Sequence, residues 1–193
     1  SLAEAVDIVG LFVPKGTQVV STRGKLSQAS QTFKTQREPL DLTIPLVVLV
    51  DGQSASASEI VAGAIQDLDR GVVMGWRTFG KGLVQSVREL PYNSSLKITT
   101  SKYYTPSGRC VQKIDYSKAV RSKGEEDKTE SAPGEFYTLS GRPVKAAGGI
   151  TPDVVLKELA VPNLLFYLAN SDILFDFATD YAHSHPTIAP VDD

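Results

Sequence analysis

Three serines lie in the stretch DGQSASASEI, directly after the apolar run LVVLVD. Behind them Ile60, Val61, Ala64, Ile65 and Leu68 recur at helical spacing. A turn from a strand into a helix N-terminus leaves main-chain N–H groups without intrahelical partners, and such amides suit the oxyanion of an attacked carbonyl. Ser56 stands where the helix should begin, which makes its hydroxyl a candidate nucleophile and the N–H of Ala57 a candidate oxyanion donor. The same serine stands three residues before Glu59, the spacing of a capping box, so a helix-capping serine is the competing reading.

A nucleophilic serine needs a base. The histidines, His183 and His185, fall beside Pro186 in a tail segment, and a surface pair of this kind is more often solvated than catalytic. Lys81 is placed differently, between Gly80 and Gly82 in the loop GWRTFGKG, where flanking glycines let the backbone turn and bring the side chain against another element. A lysine in water, with a pKa of ~10.4, is almost wholly protonated near neutrality. A lysine base therefore has to sit where desolvation or neighbouring cations favour the neutral amine. Val72, Val73, Met74, Trp76, Phe79, Leu83 and Val84 are apolar enough to build a dry surround, and Arg77 adds repulsion. The competing reading is a solvated turn lysine. Cys110 offers a thiol but no histidine near it, so a thiol hydrolase ranks last, behind a small half-buried residue. As the single cysteine it excludes an internal disulfide and a thiolate zinc cage.

The elements that must position these groups read as follows. Leu2 to Phe12 has helical spacing and stops at Pro14 and Gly16; Gln18 to Ser21 and Leu40 to Ile44 look extended, with a polar, hairpin-like excursion between them. LVVLVD is β-branched and apolar throughout, the pattern of a strand covered on both faces in a parallel sheet. The helix after DGQSASAS is expected to stop at Gly71, and Val72 to Gly75 to form a further strand. Leu83 to Leu90 and Leu96 to Tyr104 read as strands joined by the turn PYNSS. About 116–147, charges with Ser, Gly and Pro replace apolar periodicity, which predicts a surface loop or poorly ordered insert without chemistry. GGITPDVVL returns as a turn and short strand, and Val161 to Ala182 is a helical tail that docks on the main body or on another domain. The outcome is an α/β architecture with a core over 1–157 and a helical tail over 158–193.

A chain of 193 residues with 41% hydrophobic and 22% charged residues suits one packed, soluble domain. The net charge of −2 gives no basic stripe for phosphates, which excludes nucleic acid as a first guess. No apolar stretch approaches the roughly 20 residues that span a bilayer. The opening SLAEAVDIVGLF reads as a helix that begins abruptly at a Ser cap, as in a piece cut from something longer.

DGQSASASEIVAGAIQDLDRGVVMGWRTFGKGLVQSV, followed by KITTSKYYTPSGR and GGITPDVVL, resembles the C-terminal processing peptidases, or tail-specific proteases. The resemblance spans nearly the whole chain except the charged insert and the final helix. It implies a β/β/α superhelix of the caseinolytic peptidase and crotonase-like type, a mixed sheet with flanking helices. It implies Ser56 as nucleophile, Lys81 of the FGKG loop as base, and Gln85, four positions on, as the residue that orients the amine. For Gln85 a solvent-facing strand glutamine is the equal alternative. The oxyanion hole would take the N–H of Ala57 and a glycine from a segment upstream of SLAEAV. A PDZ domain and an N-terminal helical part would precede the core in the full-length protein.

The expected partner is a polypeptide, bound as an added strand along Leu83 to Leu90 or Leu96 to Tyr104 and cut near its C-terminus. At least one of Tyr103 and Tyr104 is expected simply to pack on the sheet. No metal or organic cofactor is called for, and a homo-oligomer is left open. The resemblance places such a protein outside the cytoplasm, in the periplasm or cell envelope. The rival is a catalytically silent peptide-binding module of the same fold.

Overall fold

The structure is a computed structural model that describes residues 1–113, 135–146, 148–157, 162–185 and 187. They divide into two compact units, Ser1–Leu156 and Lys157–Asp193.

In the first unit the apolar run after Pro45 forms β3 (Val47–Val50), which continues through the serine turn into α2 (Ala57–Asp67) and β4 (Val72–Gly75). β3 and β4 pair in parallel, Val47 opposite Val72, and β9 (Val154–Val155) adds to β4, also parallel. The strand was expected to be covered on both faces, but Val47 and Leu49 are 52% and 73% exposed. The helix side is the covered one: Val50 and Val73 are buried with Ile60, Ala64 and Ile65 of α2. α2 stops earlier than Gly71. Asp69 adopts φ 52 while its N–H bonds to Gln66 O and that of Arg70 to Ile65 O, a Schellman closure in which Asp69 takes the left-handed position.

The second sheet runs in the order β2 (Gln31–Lys34), β1 (Gln18–Gly24), β6 (Ser94–Tyr104), β5 (Leu83–Leu90), all antiparallel neighbours. Tyr92 and Asn93, at φ 61 and 53, make the tight turn between β5 and β6. Of the two proposed peptide-receiving strands, β5 is the edge; β6 pairs with β5 and, through Ser101–Tyr104, with β1. α1 (Leu2–Gly10) packs on α2 and fills the core between helices and sheet with Val6 and Val9 beside Val19 and Val20.

Leu40–Ile44 is not a strand. Asp41 Oδ1 accepts the amides of Thr43 and Ile44 at 2.7 and 2.9 Å, and Arg70 donates to the carbonyls of Phe12, Asp41 and Ile44, which holds the segment as a turn. Within the supposed insert, residues 114–134 and 147 lie outside the described part, but β7 (Phe136–Tyr137) and β8 (Pro143–Val144) form an antiparallel hairpin. Asp69 anchors it by accepting from Ser140 N and Arg142 Nε, both at 2.7 Å. In the second unit the single expected helix is two, α3 (Asn163–Ala169) and α4 (Ile173–Ser184).

Candidate active site

Asp51 shapes the turn that carries the serines. Its Oδ1 accepts the Ser54 hydroxyl at 2.9 Å and the amides of Gln53 and Ser54 at 3.0 and 2.9 Å, and these bonds hold the carboxyl below its usual range. At the end of the turn Ser56 adopts φ 58, ψ −113. A cap residue normally sits in the extended region with negative φ, and positive φ in a residue with a Cβ is strained. Ser56 is half-buried, and Ala57 follows it at the first helical position, where its N–H has no intrahelical acceptor.

The residue that gathers the site is one for which sequence reasoning saw only a cap. Glu59 is fully buried at 0% exposure. Its Oε2 accepts the N–H of Ser56 at 3.0 Å and that of Lys81 at 2.8 Å. Its Oε1 accepts the Thr78 hydroxyl at 2.6 Å and the Gly80 N–H at 2.8 Å. A signal for this was present, because Glu59, Gly63 and Gln66 share one buried face of α2, and a carboxylate on such a face must find donors.

Lys81 is half-buried in the loop between β4 and β5. Gly80 holds φ +88, and a Cβ there would come within 3.0 Å of Gly149 N. A Cβ on Gly82 would meet Gln112 N at 2.9 Å, so both glycines let the loop press against residues 111–113. Gly82 N donates to Gln112 Oε1 at 2.7 Å and Lys113 N to Gly80 O at 2.9 Å.

Tyr103, 1% exposed, completes the link. Its hydroxyl donates toward the carbonyl oxygens of Lys81, at 2.5 Å, and Ser56, at 3.1 Å. Burial, and next the charge of Glu59, push its phenol far above the ordinary value, so it remains a donor. Tyr103 thus does more than pack, while Tyr104 lies under Arg23, whose guanidinium carbon is 4.4 Å from the ring centroid. The main chains at 56 and 81 therefore share one carboxylate and one phenol.

Lys81 and Gln85 line a common cavity of about 980 Å³, to which the serine turn contributes Gly52; Ser56 and Ala57 are not in its wall. Gln85 is exposed, and its Nε2 reaches Thr99 Oγ1 at 3.5 Å. The apolar wall expected around Lys81 is open: Trp76 is 40% exposed, with its Nε1 turned to Leu156 O at 2.9 Å, and Phe79 is 57% exposed. Among the described residues no group of three or more His, Cys, Asp or Glu side chains is placed to hold a metal ion.

Behind the site the TPSGR segment is structural. Arg109, fully buried, donates to Asp67 Oδ1 at 2.7 Å, Gln66 Oε1 at 2.6 Å and Lys145 O at 3.0 Å. Asp153 accepts from Gln66 Nε2, Val73 N and Arg142 at 3.0, 2.8 and 2.8 Å. This network fixes the C-terminal end of α2 and hence the helix that presents Ser56 and Glu59.

Residues 1–120 match the model of peptidase family S41. The chain is 44% identical over 113 residues to a carboxy-terminal-processing protease of Bartonella bacilliformis, which covers 58% of this chain and 26% of that protein. It is 48% identical over 116 residues to a chloroplastic C-terminal processing peptidase of Tetradesmus obliquus, covering 60% of this chain and 25% of that one. The solved photosystem II D1 C-terminal processing protease superposes with a TM-score of 0.58 and 29% identity, over 89% of this chain and 36% of that one. The chain thus spans about a quarter of the length of these curated relatives.

Proposed function

Since the chain belongs to peptidase family S41, we propose that it is the catalytic part of a serine endopeptidase that cuts polypeptides near their C-terminus, with Ser56 as nucleophile and Lys81 as base. The observation that carries this reading is the shared carboxylate of Glu59, which draws the amides of Ser56 and Lys81 onto one oxygen. The left-handed φ of Ser56 also supports it, since strain of this kind collects where a side chain must be aimed. In the reaction the amine of Lys81 takes the hydroxyl proton as Oγ of Ser56 attacks the peptide carbonyl. The N–H of Ala57 receives the oxyanion, joined by a donor from a preceding segment of the longer protein. Collapse passes the proton from the ammonium to the leaving amine and leaves an acyl-enzyme. Water then attacks the ester, Lys81 again taking the proton, and the Ser56 hydroxyl is restored. Gln85, on the same cavity wall as Lys81, orients the amine.

The substrate lies along the edge strand β5. The longer protein carries a PDZ domain before this core and acts outside the cytoplasm, as expected of an exported processing enzyme. Hydrolysis of an unstructured polypeptide, followed by mass spectrometry, is the test. Fragments should form with the unsubstituted protein and fall by about 10⁴-fold with Ser56→Ala. Fragments that persist in that variant rule the reading out. The absence of Ser56 from the cavity wall is what favours a silent peptide-binding module, for which binding without any cleavage is the signature.

A further inference from the structure

Both peptide units that meet at the Cα of Lys81 are bonded at their oxygen and at their nitrogen. In the unit before it, Gly80 O accepts from Lys113 N at 2.9 Å and Lys81 N donates to Glu59 Oε2 at 2.8 Å. In the unit after it, Lys81 O accepts from the Tyr103 hydroxyl and Gly82 N donates to Gln112 Oε1 at 2.7 Å. A peptide unit is planar, so holding both ends of two successive units fixes the φ and ψ between them. The direction of the Cα–Cβ bond of Lys81 is then fixed as well. Of the four partners, Gln112 is the one whose side chain brings a neutral acceptor, and it lines the same cavity as Lys81. It is 6% exposed, and its neighbours are held in turn, Lys113 by Gly80 O and Val111 by Gly149 N, each at 2.9 Å.

From this arrangement we infer that Gln112 is a positioning residue for the base: by holding the Gly82 amide it sets the direction in which the Lys81 side chain leaves the loop. The inference rests on the reading of Ser56 as nucleophile and Lys81 as base. The residue type fits the task. A glutamate would accept the same amide but would bring a further negative charge to the loop, and an anion near an amine favours the protonated form, which cannot act as a base. The charged and titratable groups already gathered there are Glu59, Tyr103 and Cys110 against the loop, and Arg77, Lys102 and Lys113 along the cavity. A neutral acceptor holds the loop without altering the balance among them.

The test follows labelling of Ser56 by a fluorophosphonate from about pH 6 to about pH 10, at several probe concentrations, so that the maximal rate and the apparent affinity are read separately. Gln112→Met removes the acceptor at similar volume. It should lower the maximal rate about tenfold across the pH range and leave the affinity within about twofold. Gln112→Glu restores the acceptor with a charge. Its rate should return to within about twofold of the unsubstituted protein at the alkaline end, with the rise of rate displaced by about half a pH unit or more to higher pH. A residue that only packs gives no such recovery and no displaced profile. An unchanged maximal rate in Gln112→Met overturns the inference, as does a Gln112→Glu profile that stays in place or moves to lower pH. Circular dichroism checks both folds, and where Gln112→Met is unfolded the Gln112→Glu profile decides alone. An unsubstituted protein that leaves Ser56 unlabelled refutes the peptidase reading itself, and the role of Gln112 with it.

Discussion

Glu59 accepts the main-chain N–H of Lys81 at 2.8 Å through the same oxygen that accepts the N–H of Ser56 at 3.0 Å. A residue on the first turn of a helix thus fixes a loop more than twenty positions away. It also explains why a carboxylate is buried there at all. Four donors surround it, enough to offset its desolvation.

Replacing Glu59 by Gln preserves shape but turns an N–H₂ group toward amides that need an acceptor. The serine turn and the lysine loop then drift apart by a fraction of an ångström or more. Reactivity of Ser56 toward a serine-directed probe should fall about 10²-fold with the fold retained, and Glu59→Ala should add a loss of stability of several kcal/mol, on the order of 1–3 for each stranded donor. Unchanged probe kinetics in Glu59→Gln would show that the shared carboxylate has no part in aligning the site.

Tyr103→Phe removes one hydroxyl from a buried site and leaves the carbonyls of Ser56 and Lys81 without that donor. We expect a stability loss of about 1–2 kcal/mol by urea denaturation at unchanged m-value. Probe reactivity should decline with it, since the aromatic packing stays and only the bridge is lost. A neutral effect on both readouts would assign Tyr103 to packing alone.

Much of the fold is legible along the chain because its signals are local. The β3, α2, β4 unit follows from a β-branched run, a 3.6-residue apolar period and a second short run. The β5–β6 hairpin follows from two extended runs around a tight turn. What stays hidden is set by distant partners. The Ser56/Glu59 spacing looks like a cap at short range, and Thr78, Gly80 and Lys81 become visible as its donors only once the loop is folded back. The exposed face of β3 could not be foreseen, since an all-apolar strand reads the same whether one face or both are covered. The hairpin at 135–146 was hidden among charges because those charges are its anchors, Arg142 reaching Asp69 and Asp153.

That anchoring makes stability depend on acid. Burial pushes the Asp69 carboxyl up, but the hydroxyl and amide of Ser140 and the guanidinium of Arg142 outweigh it and hold it at about 2. Burial likewise opposes, and Arg142, Val73 N and Gln66 overcome, so that Asp153 is also held below its usual range. Both groups bind protons more readily when unfolded. Their contribution is therefore complete above the unfolded carboxylate value of ~3.9 and is lost as pH falls from about 4 toward 2. Urea midpoints should be level from neutrality to about pH 5 and then drop, and Arg142→Gln, which lets the folded-state values rise toward the unfolded one, should make the drop smaller. A midpoint that rises on acidification contradicts this assignment.

Arg109 separates the structural motif from the reactive one. Its guanidinium and the carboxylate of Asp67 are both fully buried, 2.7 Å apart. Arg109→Ala strands that carboxylate and should cost about 3–5 kcal/mol. Arg109→Met with Asp67→Leu, which removes both charges, should recover a large part of it, as a thermal melt of the three proteins would reveal. Should the double variant prove no more stable than Arg109→Ala, the pair is not the source of the loss.

The central claim is that the amine at Lys81 activates the hydroxyl at Ser56. The most direct measurement is the rate at which a fluorophosphonate forms an adduct at neutral pH, with the modified residue located by peptide mass spectrometry. The account predicts a single adduct on Ser56, none in Ser56→Ala, and a rate lowered by about 10²–10⁴-fold in Lys81→Ala with the fold intact. An adduct on another residue, or labelling of Ser56 at the same rate without the lysine, contradicts it.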